Sequence, residues 1–254
     1  MEINRFYDYD WAINNIFEND NILFERKIDF IFFFMNGYDS ATRRFGGRIP
    51  EVCFFTKFWK WMIENINDYE PTSMYWYKYF QQKSKNNNIS EEQLFYKEFK
   101  RFIKSDKKPN TDICISDDFY LQFQDETTIL VFLVNRKPEM IIKNRKISYI
   151  YYVFLGEAIF LEKNCNVPIE SNIAFKFGKW LNKKYPEYDE NKIGLFWYLI
   201  IEDLSKQQNI DELNLLVELF TEFLQISERK NVLFDKKTQK LYEYNFDGSV
   251  KKTF

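Results

Sequence analysis

The amino-acid sequence predicts a mainly α-helical fold with a small β element, built as two tandem four-helix repeats related by pseudo-twofold symmetry. Three observations carry this expectation. Gly and Pro together supply only 13 of 254 residues while Phe and Tyr supply 45, a balance that suits regular elements packed through aromatic side chains. The chain also resembles itself at a nearly constant offset. Finally, the positions that both copies keep apolar recur at helical spacing.

The self-match begins with "ERKIDFIFFFMNGY" (25–38) and "NRKISYIYYVFLGE" (144–157). At an offset of 119, Arg26, Lys27, Ile28, Ile31 and Gly37 recur as Arg145, Lys146, Ile147, Ile150 and Gly156. "KFWKW" (57–61) then falls on "KFGKW" (176–180). A two-residue insertion moves the offset to 121, where Trp76 meets Trp197 and Phe99 and Phe102 meet Phe220 and Phe223. Their shared order makes coincidence a poor explanation, even in so biased a composition.

Residues 1–24 read as an N-terminal extension. Residues 25–104 form the first repeat, with helices expected near 25–45, 52–66, 73–84 and 90–104. In its second helix Phe54, Phe58, Trp61, Met62 and Ile66 share one broad face, as do Ile173, Phe177, Trp180, Leu181 and Tyr185 in the other copy. Ser90 with Gln93, and Asn209 with Glu212, have capping-box spacing at the start of the last helix of each copy. Residues 105–143 read as a linker with a β-hairpin, because "FYLQFQDETTILVFLV" (119–134) alternates, turns and resumes as a β-branched run. Residues 144–226 form the second repeat, with helices near 144–163, 170–184, 192–207 and 210–226. The tail 227–254 carries two turn signals and reads as a further β-hairpin.

Net charge is −2, from 36 basic and 38 acidic residues, so no global field points to nucleic acid or to a membrane surface. No apolar run approaches the roughly 18 residues of a membrane span, and "MEINRFYDYDW" lacks the core of a signal peptide. Three widely spaced cysteines suit reduced thiols. The expectation is a cytoplasmic bacterial protein, the Phe, Tyr, Asn, Lys and Ile bias being that of an AT-rich genome. There is no histidine, which removes Ser-His-Asp and Cys-His catalysis and His-ligated zinc. No catalytic residue, metal or cofactor is expected.

Trp61, Trp76, Trp180 and Trp197 lie on apolar helix faces and read as core. Trp59 points off that face and its counterpart is Gly178, which makes it a candidate interface aromatic. Gly37 and Gly156, inside helices, suit a close helix crossing or a helix break. "RRFGGRIPE" (43–51) gathers Arg43, Arg44 and Arg48 around a Gly-Gly turn. Arginine forks and exposed backbone N–H groups there would suit an anionic group of a partner, although a solvated loop is the simpler reading. Trp59, Arg43, Arg44 and Arg48 are the candidate partner-binding residues. The doublets Asp117-Asp118, Asp125-Glu126 and Glu202-Asp203 would serve a Mg²⁺-dependent enzyme only if carboxylates from different elements converged. Clusters at Lys104, Lys107 and Lys108 and at Lys236, Lys237 and Lys240 are too small to argue nucleic-acid binding.

"NRKPEMI" (135–141), followed by "NRKISYIYYVFLGEA" and "AFKFGKWL", resembles a group of poorly characterised bacterial helical domains. Arg136, Lys137, Pro138, Met140, Gly156, Phe177, Trp180 and Trp197 fit the pattern over about 90 residues; Glu139 and Lys143 depart from it at two usual glycines. The resemblance implies a bacterial origin and the setting of toxin–immunity loci, and supplies no catalytic residue. The functional expectation is a non-catalytic protein–protein interaction module of immunity type, whose partner is a secreted bacterial toxin that it masks. The alternatives are a nucleic-acid binder using aromatic stacking and lysines, and a carboxylate/Mg²⁺ enzyme.

Overall fold

The computed structural model describes residues 2–4, 9–18, 27–45, 54–70, 75–105, 112–114, 146–188, 196–226, 232–235, 240–244 and 250–253. The described residues are mainly helical. In chain order the helices are α1 (Tyr9–Glu18), α2 (Ile28–Phe45), α3 (Phe54–Asn65), α4 (Tyr77–Asn87), α5 (Glu91–Ser105), α6 (Ile147–Cys165), α7 (Ile173–Lys184), α8 (Trp197–Gln208) and α9 (Glu212–Ile226). Short strands β1 (Glu2–Asn4) and β2 (Asp112–Cys114) pair antiparallel, with Glu2 opposite Cys114. The tail holds β3 (Val232–Asp235), β4 (Lys240–Tyr244) and β5 (Val250–Thr253), antiparallel in that order, with an irregularity at Glu243/Tyr244. No helix among the described residues is long and apolar enough to cross a membrane.

The chain divides into two compact units: Met1–Ser116 with Tyr152–Ile169, and Asp117–Tyr151 with Glu170–Phe254. Helix α6 therefore begins in unit 2 and continues into unit 1. The expected hairpin at 119–134, the loop 46–53 and the Arg-Lys-Pro stretch at 135–141 lie outside the described residues.

In unit 1, α2 is almost wholly buried from Ile28 to Met35, and it crosses the part of α6 that belongs to the same unit. The crossing is built on two glycines. A Cβ on Gly37 would lie 1.9 Å from the Val153 carbonyl oxygen, and one on Gly156 would lie 2.0 Å from the Phe34 carbonyl oxygen. Gly costs about 1 kcal/mol relative to Ala inside a helix; backbone-to-backbone contact explains why it is present twice. Tyr152 stacks on Phe30 with centroids 4.4 Å apart, and Tyr38 meets Phe160 edge-on at 5.2 Å.

The rest of the unit 1 core is a ring cluster. Phe58 stacks on Trp61 at 5.9 Å, meets Trp76 edge-on at 5.5 Å and lies 5.4 Å from Phe102. Trp76, fully buried, stacks on Phe95 at 5.0 Å. The N-terminal extension joins this core. Tyr9, Ala12, Ile13 and Ile16 fall at helical spacing and are buried, with the Tyr9 ring 5.4 Å from Phe54.

Unit 2 has the same inner arrangement. Phe177 stacks on Trp180 at 5.9 Å, meets Trp197 edge-on at 5.5 Å and lies 5.6 Å from Phe223. The helix ends agree as well. Asn88 and Asn209 both adopt left-handed conformations with φ of 53°, each returning its backbone N–H to a serine carbonyl, Ser84 and Ser205. The expected capping box at Asn209 is thereby corrected. Asn209 closes α8, and Asp211 starts α9 by accepting from the backbone N–H groups of Leu213 and Asn214 at 3.1 Å each. Its counterpart is Ser90, which accepts from the Gln93 N–H at 3.2 Å.

Candidate functional site

Past the end of α3 the chain turns at Ile66–Tyr69, where the Tyr69 N–H donates to the Ile66 carbonyl at 3.1 Å. This turn carries Asp68 and Glu70 past one face of α4. Between them lies a groove of about 460 Å³. From α4 come Lys78, Tyr79, Gln82, Lys83 and Asn86, which follow helical spacing along one face. Tyr75, just before the helix, also lines the groove.

Charge and aromatic surface are arranged together here. Asp68 accepts from the Tyr79 hydroxyl at 3.0 Å and pairs with Lys83, so one carboxylate fixes two groove side chains. The Lys83 ammonium also lies 5.9 Å from the Tyr79 ring centre, and that of Lys78 lies 5.3 Å from the centre of Tyr75. Tyr69 meets Tyr79 edge-on at 5.4 Å. Burial raises the Tyr79 hydroxyl above its ordinary pKa, and the nearby Glu98 charge adds to that. Two lysines face two carboxylates, so the lining carries no net formal charge.

Unit 2 treats the equivalent face differently. At the offset of 121, Lys78, Tyr79, Gln82, Lys83 and Asn86 correspond to Leu199, Ile200, Asp203, Leu204 and Gln207. Ile200 and Leu204 are buried core residues. Asp203 accepts from the Tyr188 hydroxyl at 2.5 Å and from the Gln207 amide at 2.8 Å. Sequence reasoning singled out tryptophans and arginines and passed over this face. The only signal in the sequence was the exchange of Ile200 and Leu204 for Tyr79 and Lys83 at the offset of 121, since Gln82 and Asn86 stand opposite the polar Asp203 and Gln207.

Trp59 is half-buried rather than openly exposed, and its indole nitrogen is buried. That N–H approaches the Tyr69 hydroxyl closely enough to favour the phenolate, without hydrogen-bond geometry. Burial is the larger influence and leaves the Tyr69 pKa raised. Trp59 thus meets a groove residue from within the unit. The side chains of Arg43 and Arg44, and all of Arg48, lie outside the described residues. Trp76 and Trp197 are core, Trp61 is at the core edge and Trp180 is half-buried, with the Lys184 ammonium 5.0 Å from its ring centre. Asp117-Asp118 and Asp125-Glu126 fall outside the described residues; among those described, no group of three or more Cys, Asp or Glu side chains is placed to hold a metal. No family model, curated protein or solved structure matches this chain.

Proposed function

We propose that the chain is a non-catalytic protein–protein interaction module made of two copies of one four-helix unit with a small β element, and that a partner docks on the groove of unit 1. One observation carries this reading: where unit 2 buries Ile200 and Leu204, unit 1 places Tyr79 and Lys83, and they line a groove walled by tyrosines and paired charges. Tyrosine at an interface supplies large contact area with a polar tip, and charges of both signs give orientation and specificity. The paired carboxylates among the lysines disfavour a polyanion. The resemblance of residues 135–226 to bacterial helical domains supports an immunity-type role in the cytoplasm, with a secreted toxin as the partner that is masked.

Coexpression with the products of the genes adjoining its own tests this. One of those products is expected to copurify with the chain and to lose toxicity when bound. Tyr79→Ala should weaken that complex by about 1–2 kcal/mol, roughly 5- to 30-fold in affinity. A neighbouring toxin that binds the Tyr79→Ala protein as tightly as wild type would sink the groove assignment. If no neighbouring product binds at all, the immunity role goes with it.

A further inference from the structure

The shape and chemistry of the groove specify its occupant further. Along α4, Lys78, Gln82 and Asn86 stand at intervals of four residues on the groove side. Four residues of α-helix advance about 6 Å. An extended peptide repeats its same-side backbone groups every two residues, about 6.6–6.8 Å. Gln82 and Asn86, both exposed, carry amides that donate and accept, as the N–H and C=O groups of an extended main chain require. Tyr75 and Tyr79 offer ring surface in the same lining. Glu70, exposed at the loop edge, suits a basic side chain.

Helix α4 contains three lysines and no acidic residue, and its other polar residues besides tyrosine are Gln, Asn and Ser84. Its counterpart α8 keeps Leu199, Ile200 and Leu204 there. Tyr79 and Lys83 stand where α8 buries Ile200 and Leu204, whereas Gln82 and Asn86 stand opposite Asp203 and Gln207, so the amide row is polar in both helices.

We propose that the groove takes an extended peptide segment of the partner protein, laid along α4 with its main chain on Gln82 and Asn86 and its side chains against Tyr75 and Tyr79. This rests on the reading of the chain as a protein-binding module and adds the conformation of what is bound. A polynucleotide is the competing occupant, because its phosphates have similar spacing. Asp68 and Glu70 stand against it, since they offset Lys78 and Lys83 within the same lining.

The test uses the full chain against a phage-displayed library of linear peptides, with an oligothymidylate as the nucleic-acid control. Selected peptides are expected to bind wild type with roughly micromolar affinity and to lose about tenfold or more against Gln82→Ala/Asn86→Ala. Both side chains are exposed, so the double variant should keep its far-ultraviolet circular dichroism and unfolding midpoint. The inference is overturned if no linear peptide is retained, if binding ignores the double substitution, or if oligothymidylate binds with the same sensitivity. The neighbouring toxin separates the two readings. If it binds the double variant as tightly as wild type while Tyr79→Ala weakens it, the module stands and the extended segment falls.

Discussion

Units 1 and 2 place their inner rings almost identically and differ in how the helices around those rings begin and what they expose. Phe58 and Phe177 each lie 5.5 Å from a buried tryptophan and stack on a second one at 5.9 Å. The caps diverge. Helix α7 is started locally: the Asn172 side chain accepts from the Ala174 N–H at 2.9 Å. Helix α3 is started from a distance, because the buried carboxylate of Asp39 in α2 accepts from the N–H groups of Phe54 and Phe55 at 3.0 and 2.7 Å. At the position matching Asp39, α6 has Ala158. The lesson is that an aromatic cluster constrains its own geometry closely, since each ring touches several others, while caps and outer faces have several solutions of similar energy.

The largest effect should come from the α2–α6 crossing inside unit 1. Ala has the better helix propensity by about 1 kcal/mol, so an unhindered Gly→Ala change would stabilise. Here the new Cβ would meet a carbonyl oxygen of the facing backbone, and neither helix can move without separating from the other. Gly37→Ala and Gly156→Ala are each expected to cost about 3 kcal/mol or more in urea unfolding. The two costs should match, because the contacts are reciprocal. A neutral or stabilising result at either position would show that the helices are not in backbone contact.

Next in size is the contrast between the caps. Asp39→Ala leaves two backbone N–H groups at the start of α3 without their acceptor, a loss of about 2–3 kcal/mol. Asn172→Ala removes one local bond and should cost about 1 kcal/mol. Equal costs, or the reverse order, would mean that the distant cap contributes no more than the local one.

The helices were legible because their apolar positions are periodic in both halves of the chain: an expected helix at 170–184 is observed as Ile173–Lys184, and one at 90–104 as Glu91–Ser105. Helix α1 was missed because it has no counterpart at the repeat offset, although Tyr9, Ala12, Ile13 and Ile16 have the spacing. The tryptophans at 76 and 197 read correctly as core, since large aromatics on an apolar stripe face inward. Trp59 is half-buried where the sequence suggested exposure, because a residue off the apolar face of one helix can still be covered by a neighbouring turn, here the one carrying Tyr69. The groove was illegible for a related reason. Lys78, Gln82 and Asn86 look like ordinary solvated helix residues until the loop at 68–70 is seen beside them.

The smallest predicted effect separates two tyrosines that reach the same pKa by different routes. In unit 1 the Tyr77 hydroxyl is pushed up to about 12, first by burial and then by the charges of Asp29 and Tyr75. In unit 2 the Tyr188 hydroxyl is also pushed up to about 12, first by burial and then by its hydrogen bond to Asp203 and the charges of Asp203 and Glu187. In the unfolded chain both ionise near the ordinary tyrosine value of about 10. Between pH 10 and 12 the folded protein keeps these protons while the unfolded chain releases them. The stabilisation is therefore complete below pH 10 and is lost as pH rises through 12. Removing either hydroxyl should flatten that decline, read as the difference in urea midpoint between pH 8 and pH 11. At pH 8 the variants should part company. Tyr77→Phe is expected to be nearly neutral, whereas Tyr188→Phe gives up the bond to Asp203 and should cost about 0.5–1 kcal/mol, reduced by its partial exposure. If both variants follow the wild-type decline through pH 11, neither tyrosine is held protonated by the fold.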